Sequence, residues 1–397
     1  FAFGAEQRTE EYEIGAGEYA SFAIGPLAPE GFPSGSNGFP GFSPEQSGSS
    51  DQTSYAAYVD VEAPITDRWT VGAAVRFEDF SEFGNDTNGK LSTRYEVSPN
   101  LALRATASTG FRAPTPGQLF SERTSQGLDT TTLNIFTRGR YSPQGPIADV
   151  ISLRDGVDIL PLKPEESENL TAGLAWNSNA GLSATVDVYQ IDVTNRLSTS
   201  AAFSLTDEER AELAALGVAG ADTITAVNFF QNDFDTQTKG VDLVLTYKYE
   251  VGPGEMNLTG AYNYNKTEVT GGDFAANETA ADRFEKGIPE HTGNLQATYT
   301  VGNWNVFGRM RYYGEWRDYS GNSDGDIFQD FGAMMLFDLG ATYQVNDNMK
   351  VRVGAENVFD QYPDEATYQA SRGLIYSRNA PYDTDGGQYY VRLDFSF

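Results

Sequence analysis

The 397-residue sequence predicts an all-β fold: a transmembrane antiparallel up-and-down β-barrel wall with about 14 strands present. Three observations carry this. Apolar residues recur at every second position in segment after segment, the period of a strand with one face in an apolar medium and the other in water. The connections between these segments alternate short and long, which places the tight turns at one end of the wall and the long loops at the other. The composition joins 13% aromatic residues and 41 Gly to only 39% apolar residues, with a mean hydropathy of −0.44. No window approaches the roughly 18 consecutive apolar residues that a membrane helix needs.

The elements follow in order. The opening FAFGAEQRTEEYE has strand character and lacks the basic and apolar regions of a secretory leader, so Phe1 is expected not to be the biological N-terminus. Further segments begin near residues 52, 68, 90, 100, 167, 181, 237, 255, 291, 303, 333, 348 and 387. Their lengths, about 8–13 residues, bracket the 9–11 that a tilted strand needs to cross a bilayer. In one of them Val241, Leu243, Leu245, Tyr247 and Tyr249 alternate with Asp242, Thr246 and Lys248. Leu243 and Leu245 are therefore expected on the lipid side, Asp242 and Thr246 on the lumen side. The last segment places Tyr389, Val391, Leu393, Phe395 and Phe397 on one face.

Tight turns are expected at 64–67, 99–100, 177–180, 251–254, 302–303 and 346–347, and long extracellular loops near 13–51, 78–89, 110–166, 196–236, 268–290, 315–332 and 358–386. Within 196–236, Thr206 or Asp207 as N-cap, acidic residues in the first turn and Gly217 as a stop signal predict a short helix over 206–217 that packs on the rim.

Charge and composition exclude several function classes. With 27 Lys+Arg against 56 Asp+Glu the net charge is −29, which disfavours nucleic acid as a partner. There is no cysteine and a single histidine, His291, so thiol nucleophiles, cysteine-ligated metals and histidine-based triads have no raw material. No catalytic residue, resident metal or cofactor is expected, and the chain does not read as an enzyme. The acidic strings at 322–330 and 382–387 suggest loop-bound calcium, although neither meets the EF-hand pattern. Acidic rims also suit divalent bridges to lipopolysaccharide.

One loop departs from the rest. Loop 110–166 carries Arg112, Arg123, Arg138, Arg140, Arg154 and Lys163 against seven acidic residues, whereas each of the other six has at most two basic residues. Guanidinium forks match carboxylate, phosphate or hydroxamate oxygens, which makes Arg123, Arg138, Arg140 and Arg154 candidate contacts for an anionic small molecule. Salt bridging to Asp149, Asp155 and Asp158 is the alternative, and Arg112 reads as architectural at a strand exit. Aromatic residues in other loops suit planar or sugar ligands: Trp316 and Tyr319 above all, then Phe229, Phe230 and Phe234, and Phe32, Phe39 and Phe42. Trp304, Tyr312 and Tyr313 are expected in an interfacial girdle.

Specific motifs add a resemblance. AVRFEDFSEFG (74–84), ASTGFRAPTPGQLF (107–120), LKPEESENLTAGLAW (162–176), AENVFDQYP (355–363) and the terminal Phe397 together resemble the C-terminal barrel of a TonB-dependent outer-membrane receptor. The resemblance covers essentially the whole chain. It implies a 22-stranded barrel closed by an N-terminal plug, of which the plug and about eight strands are absent here. It further implies a cell outer membrane location in a Gram-negative bacterium and uptake of a scarce nutrient such as a ferric siderophore, vitamin or oligosaccharide. TonB would act through the plug, and the barrel-assembly machinery would read Phe397 as an assembly signal. Alternatives are a passive porin and a surface adhesin or structural barrel.

Overall fold

The structure is a computed structural model that describes all residues except 24, 27–34, 37–40, 129–134, 219, 320–326, 368–372 and 397. Among the described residues fourteen long strands form its wall. They are β1 (Ala2–Ile14), β2 (Gly48–Thr66), β3 (Trp69–Phe80), β4 (Gly84–Ser98), β5 (Leu101–Arg112), β6 (Glu165–Asn177) and β7 (Leu182–Thr199). β8 (Ile224–Val251), β9 (Gly254–Gly272), β10 (His291–Val301), β11 (Trp304–Tyr313), β12 (Met334–Asn346), β13 (Met349–Glu356) and β14 (Gln388–Phe395) follow. Each pairs antiparallel with the next in sequence, from β1 on β2 to β13 on β14. The sheet is not closed: among the described residues no pairing joins β14 to β1.

Turns such as 252–253 and 302–303 cluster at one end of the wall, where Gly252 and Gly302 supply the left-handed conformation at φ 58° and 52°. The other end carries the long connections. Residues 78–89, expected as a long loop, are strand on both sides of the three-residue turn 81–83. The turn-rich NDTNG of 85–89 reads locally as a loop, but its backbone groups are taken up by β3, with Phe80 opposite Gly84 and Glu78 opposite Asp86. β8 also starts earlier than its period suggests, at Ile224 rather than near 237.

Register separates the faces. Leu103, Leu174, Val186, Leu243 and Tyr262 stand opposite one another across β5 to β9, and Leu245 follows two positions along, 40% exposed. One position over, Arg104, Asp187, Asp242 and Asn263 form the polar face. Asp187 receives Arg104 Nε at 2.8 Å and Asp242 receives Asn263 Nδ2 at 2.6 Å. Several inward rings lie flat over a glycine of the neighbouring strand: Tyr58 on Gly4, Phe307 on Gly340 and Tyr390 on Gly354. Such pairs tie register to side-chain shape, since a slip of one residue would put the ring on the wrong face.

A wall of this kind has no solid centre, and the main apolar core lies in the loops instead. Tyr141, Ile147, Val150 and Ile151 pack with Leu205, Leu213, Ile224, Val227 and Phe229. Loops 110–166 and 196–236 thus share one core. The predicted helix is Asp207–Ala215, capped by Thr206 with the reciprocal Glu209 contact, and its Leu213 is fully buried in this core. No helix among the described residues is long and apolar enough to cross a membrane.

Candidate functional site

The described parts of loop 110–166 lie against the inner face near the long-loop end, with Gly117 beside the Tyr12 ring of β1, and local sequence dictates their path. Thr115 and Gln118 form a capping box with Pro116 in the first turn, which starts a helix at Pro116–Phe120. A hairpin follows, Arg123–Leu128 against Ile135–Tyr141, and its second strand runs parallel to the first residues of β8. Gln46 Nε2 donates to the Glu122 carbonyl at 3.3 Å, joining the loop to the segment before β2. Beneath it the inward residues Gln52, Ser54 and Glu78 are buried.

Three of the four arginine candidates meet here. Arg123 and Arg140 are cross-strand partners and Arg138 lies two residues along, so all three occupy one face of the hairpin. Arg140 stacks on Phe230 of β8, its guanidinium carbon 4.1 Å from the ring centre, and Nη2 donates to Ser121 Oγ at 3.2 Å. Its Nε is buried and has no hydrogen-bond partner among the described residues. Burial, then the neighbouring Arg123 charge, pulls the Arg140 pKa down, with Tyr12 of β1 opposing them. Arg138 is exposed, its guanidinium 4.7 Å from the Phe136 ring centre. Burial pushes the carboxyl of Glu122, which precedes Arg123 in the chain, up. The cluster therefore sets cationic groups on one face of the hairpin, a field suited to an anion.

The fourth arginine is elsewhere. Arg154 makes a bidentate ion pair with Glu209 at 2.6 and 2.7 Å and donates to the Ser204 carbonyl. Its partner is not Asp149, Asp155 or Asp158 but a residue of the neighbouring loop. Arg112 is architectural as expected: it clasps Glu165 across β5 and β6, and Glu165 also accepts from the Leu197 amide at 2.8 Å. That contact joins the two halves of the GFRAP and KPEES signatures.

Trp316 and Tyr319 are buried, at 3% and 5% exposure. Trp316 stacks on Phe331 at 4.5 Å between ring centres and donates its indole N–H to Tyr382. The Tyr319 hydroxyl donates to Asp282. Burial pushes the Asp282 carboxyl up, but hydrogen bonds from Lys286, Tyr319 and Arg317 outweigh it and hold it at about 2. Arg317 bridges Asp282 and Asp330, so these residues fasten loops 268–290 and 315–332 together rather than presenting rings to a ligand. Phe229 and Phe234 are likewise buried, Phe234 stacked on Phe274. Sequence reasoning singled out Phe230 as a ligand platform; the structure makes it the platform for Arg140. Tyr12 and Ser121 were missed because only tertiary contact brings them to Arg140.

The lumen wall adds a buried acid. Asp338 accepts from Arg309 at 2.8 Å, from Arg311 at 2.9 Å on both oxygens, and from the Asn357 amide at 2.9 Å. Asn357 opens the NVFD motif, whose Asn357 and Asp360 both adopt positive φ, and so anchors that turn to the wall.

Phe397 and residues 322–326 of the acidic string lie outside the described residues. In the other string Asp383 accepts from the Asp385 amide and from Gln388. Among the described residues no three His, Cys, Asp or Glu side chains stand together as a metal site.

The family profile described as "TonB dependent receptor-like, beta-barrel" matches residues 3–358. The chain is 22% identical over 347 residues to an iron-regulated outer membrane virulence protein of Vibrio cholerae, covering 87% of this chain and 45% of that protein. It is 22% identical over 323 residues to the vitamin B12 transporter BtuB of Photobacterium profundum, covering 81% and 42%. Among solved structures, a ferric enterobactin receptor variant of Pseudomonas aeruginosa superposes with TM-score 0.67 at 16% identity, over 100% of this chain and 51% of that one. The siderophore receptor PirA of Acinetobacter baumannii gives TM-score 0.64 at 16% identity, over 100% and 52%. The chain thus spans about half the length of these relatives.

Proposed function

Because the chain belongs to the TonB-dependent receptor β-barrel family, and with it to the outer membrane of Gram-negative bacteria, we propose that it forms part of an active uptake system for an anionic chelate such as a ferric siderophore. The observation that carries this reading is the cluster of Arg123, Arg138 and Arg140 on one face of a hairpin inside the mouth of the wall. On a chain of net charge −29 an approaching anion is repelled by the acidic loops and attracted where these guanidinium groups converge. The named siderophore receptors among the structural neighbours support the same substrate class. Energy would come from TonB through a plug carried elsewhere in the receptor. A vitamin or oligosaccharide substrate, a passive porin and a surface adhesin are the rival readings.

The test is ligand binding and uptake in cells bearing the receptor with Arg138→Ala and Arg140→Ala together. Each charge-assisted contact contributes about 1.5–3 kcal/mol, so the double variant should bind an anionic ferric chelate about two to four orders of magnitude more weakly. A neutral sugar should be unaffected. If anionic chelates are bound and imported as by the parent, the reading fails.

A further inference from the structure

Arginine side chains in this structure repeat one geometry. Among the described residues Arg104, Arg112, Arg154, Arg311 and Arg317 each set Nε and Nη2 on the two oxygens of a single carboxylate. Arg154 does so on Glu209 at 2.6 and 2.7 Å, and Arg311 on Asp338 at 2.9 Å to each oxygen. This edge of a guanidinium matches a carboxylate because two parallel N–H groups meet two coplanar oxygens.

Arg140 presents the same edge without a carboxylate on it. Its Nη2 donates to the Ser121 hydroxyl at 3.2 Å, while Nε, on the same edge, is buried and has no hydrogen-bond partner among the described residues. Arg352 also has an unpartnered Nε, but its Nη2 stands 3.8 Å from Asp394. The charged neighbour of Arg140 across the hairpin is instead a second cation, Arg123. The Phe230 ring covers one face of the guanidinium at 4.1 Å, which leaves the edge as the approach. A buried N–H without an acceptor is unfavourable, and the five pairs show which acceptor completes the edge.

Given the arginine cluster as the ligand site, the reading on which this rests, we propose that the Nε–Nη2 edge of Arg140 binds a carboxylate of the transported ligand. The preferred substrate is then a ferric chelate that carries at least one carboxylate outside the coordination sphere of the metal. A planar carboxylate lies in the plane of the guanidinium and preserves its stacking on Phe230, with Ser121 displaced from Nη2 or sharing it. Catecholate and hydroxamate oxygens are bound to the iron itself, whereas such a carboxylate offers both of its oxygens to one fork. Arg138, exposed two residues along on the same face, meets the remaining negative charge of the chelate.

The experiment uses cells bearing the whole receptor and measures binding of three radiolabelled probes: ferric citrate, a ferric tris-catecholate and a neutral ferric trihydroxamate. The parent should prefer ferric citrate, and its order of preference tests the ligand class independently of any variant. Arg140→Lys keeps the charge and removes the fork. It should weaken ferric citrate binding at least tenfold while changing tris-catecholate binding by less than about twofold, with heat-modifiable migration on gels to check that it is folded. A parent that prefers the tris-catecholate overturns the proposal, as does equal binding of ferric citrate by the parent and Arg140→Lys. In the second case, loss of ferric citrate in Arg138→Ala/Arg140→Ala would leave the cluster an anion site that reads charge alone, whereas parental binding of every anionic chelate by that double variant would remove the ligand site as well. Equal binding together with a lowered urea unfolding midpoint of ligand-free Arg140→Lys would place the carboxylate within the receptor instead.

Discussion

Replacing Gly340 with alanine should destabilise the wall through a single ring. The new methyl would lie 2.4 Å from Phe307 Cε1 and 2.8 Å from its Cζ, and the three nearest atoms all belong to that ring. The ring must leave its position over the glycine, where it neighbours Arg309 and the Asp338 ion pair. Overpacking of this kind costs about 1–3 kcal/mol. With Phe307 already replaced by alanine the obstacle is gone, and the same Gly340→Ala change should be neutral or slightly stabilising because alanine narrows the unfolded ensemble by about 0.4–1 kcal/mol. The two substitutions should therefore couple by at least about 1 kcal/mol. Urea unfolding of the four proteins in detergent micelles, followed by tryptophan fluorescence, gives the cycle directly. Additivity within about 0.5 kcal/mol would refute the argument that the ring is what requires glycine at this position.

Other expectations concern the lipid face, the loops and assembly. Leu243→Arg should cost about 2–4 kcal/mol if the residue sits near the bilayer midplane, read as a lowered unfolding midpoint in lipid; an unchanged midpoint would argue against its outward placement. Glu209, whose carboxyl is held below its ordinary value of 4.5 chiefly by the Arg154 hydrogen bond, stabilises the joined loops fully above that value and loses the contribution as pH falls through the depressed one. Protease cleavage within 200–223 should accordingly rise in acid for the parent, while Glu209→Gln should be cleaved at neutral pH as well. Deleting Phe397 should lower the amount of receptor assembled in the outer membrane, measured by quantitative blotting of membrane fractions, and a normal level would remove its role as an assembly signal.

The strand period, the alternation of turn and loop and the Thr206 cap were legible in the sequence because each is a local property. Backbone pleat puts alternate residues on opposite faces whatever the partner strand, and a capping box is complete within four residues. Hence the strand starts near 101, 182, 291, 304, 334 and 349 lie within a residue or two of their periodic segments. The motifs identified the family before the contacts that explain them were visible.

What tertiary structure alone decided lies where a residue's state is set by a segment far away. Residues 84–89 are polar and turn-rich, yet strand, because β3 supplies their hydrogen-bond partners. Arg154 bonds Glu209, 55 residues away, rather than the nearer aspartates. Trp316 is buried because Tyr382, 66 residues on, closes over its indole N–H. Arg123, Arg138 and Arg140 could be named as candidates from charge contrast, but their common face, and the Phe230 ring beneath Arg140, came only with the hairpin's register against β8. Sequence period carries the face of a strand; it carries no information about which distant segment that face will meet, and burial and ion pairing are properties of that meeting.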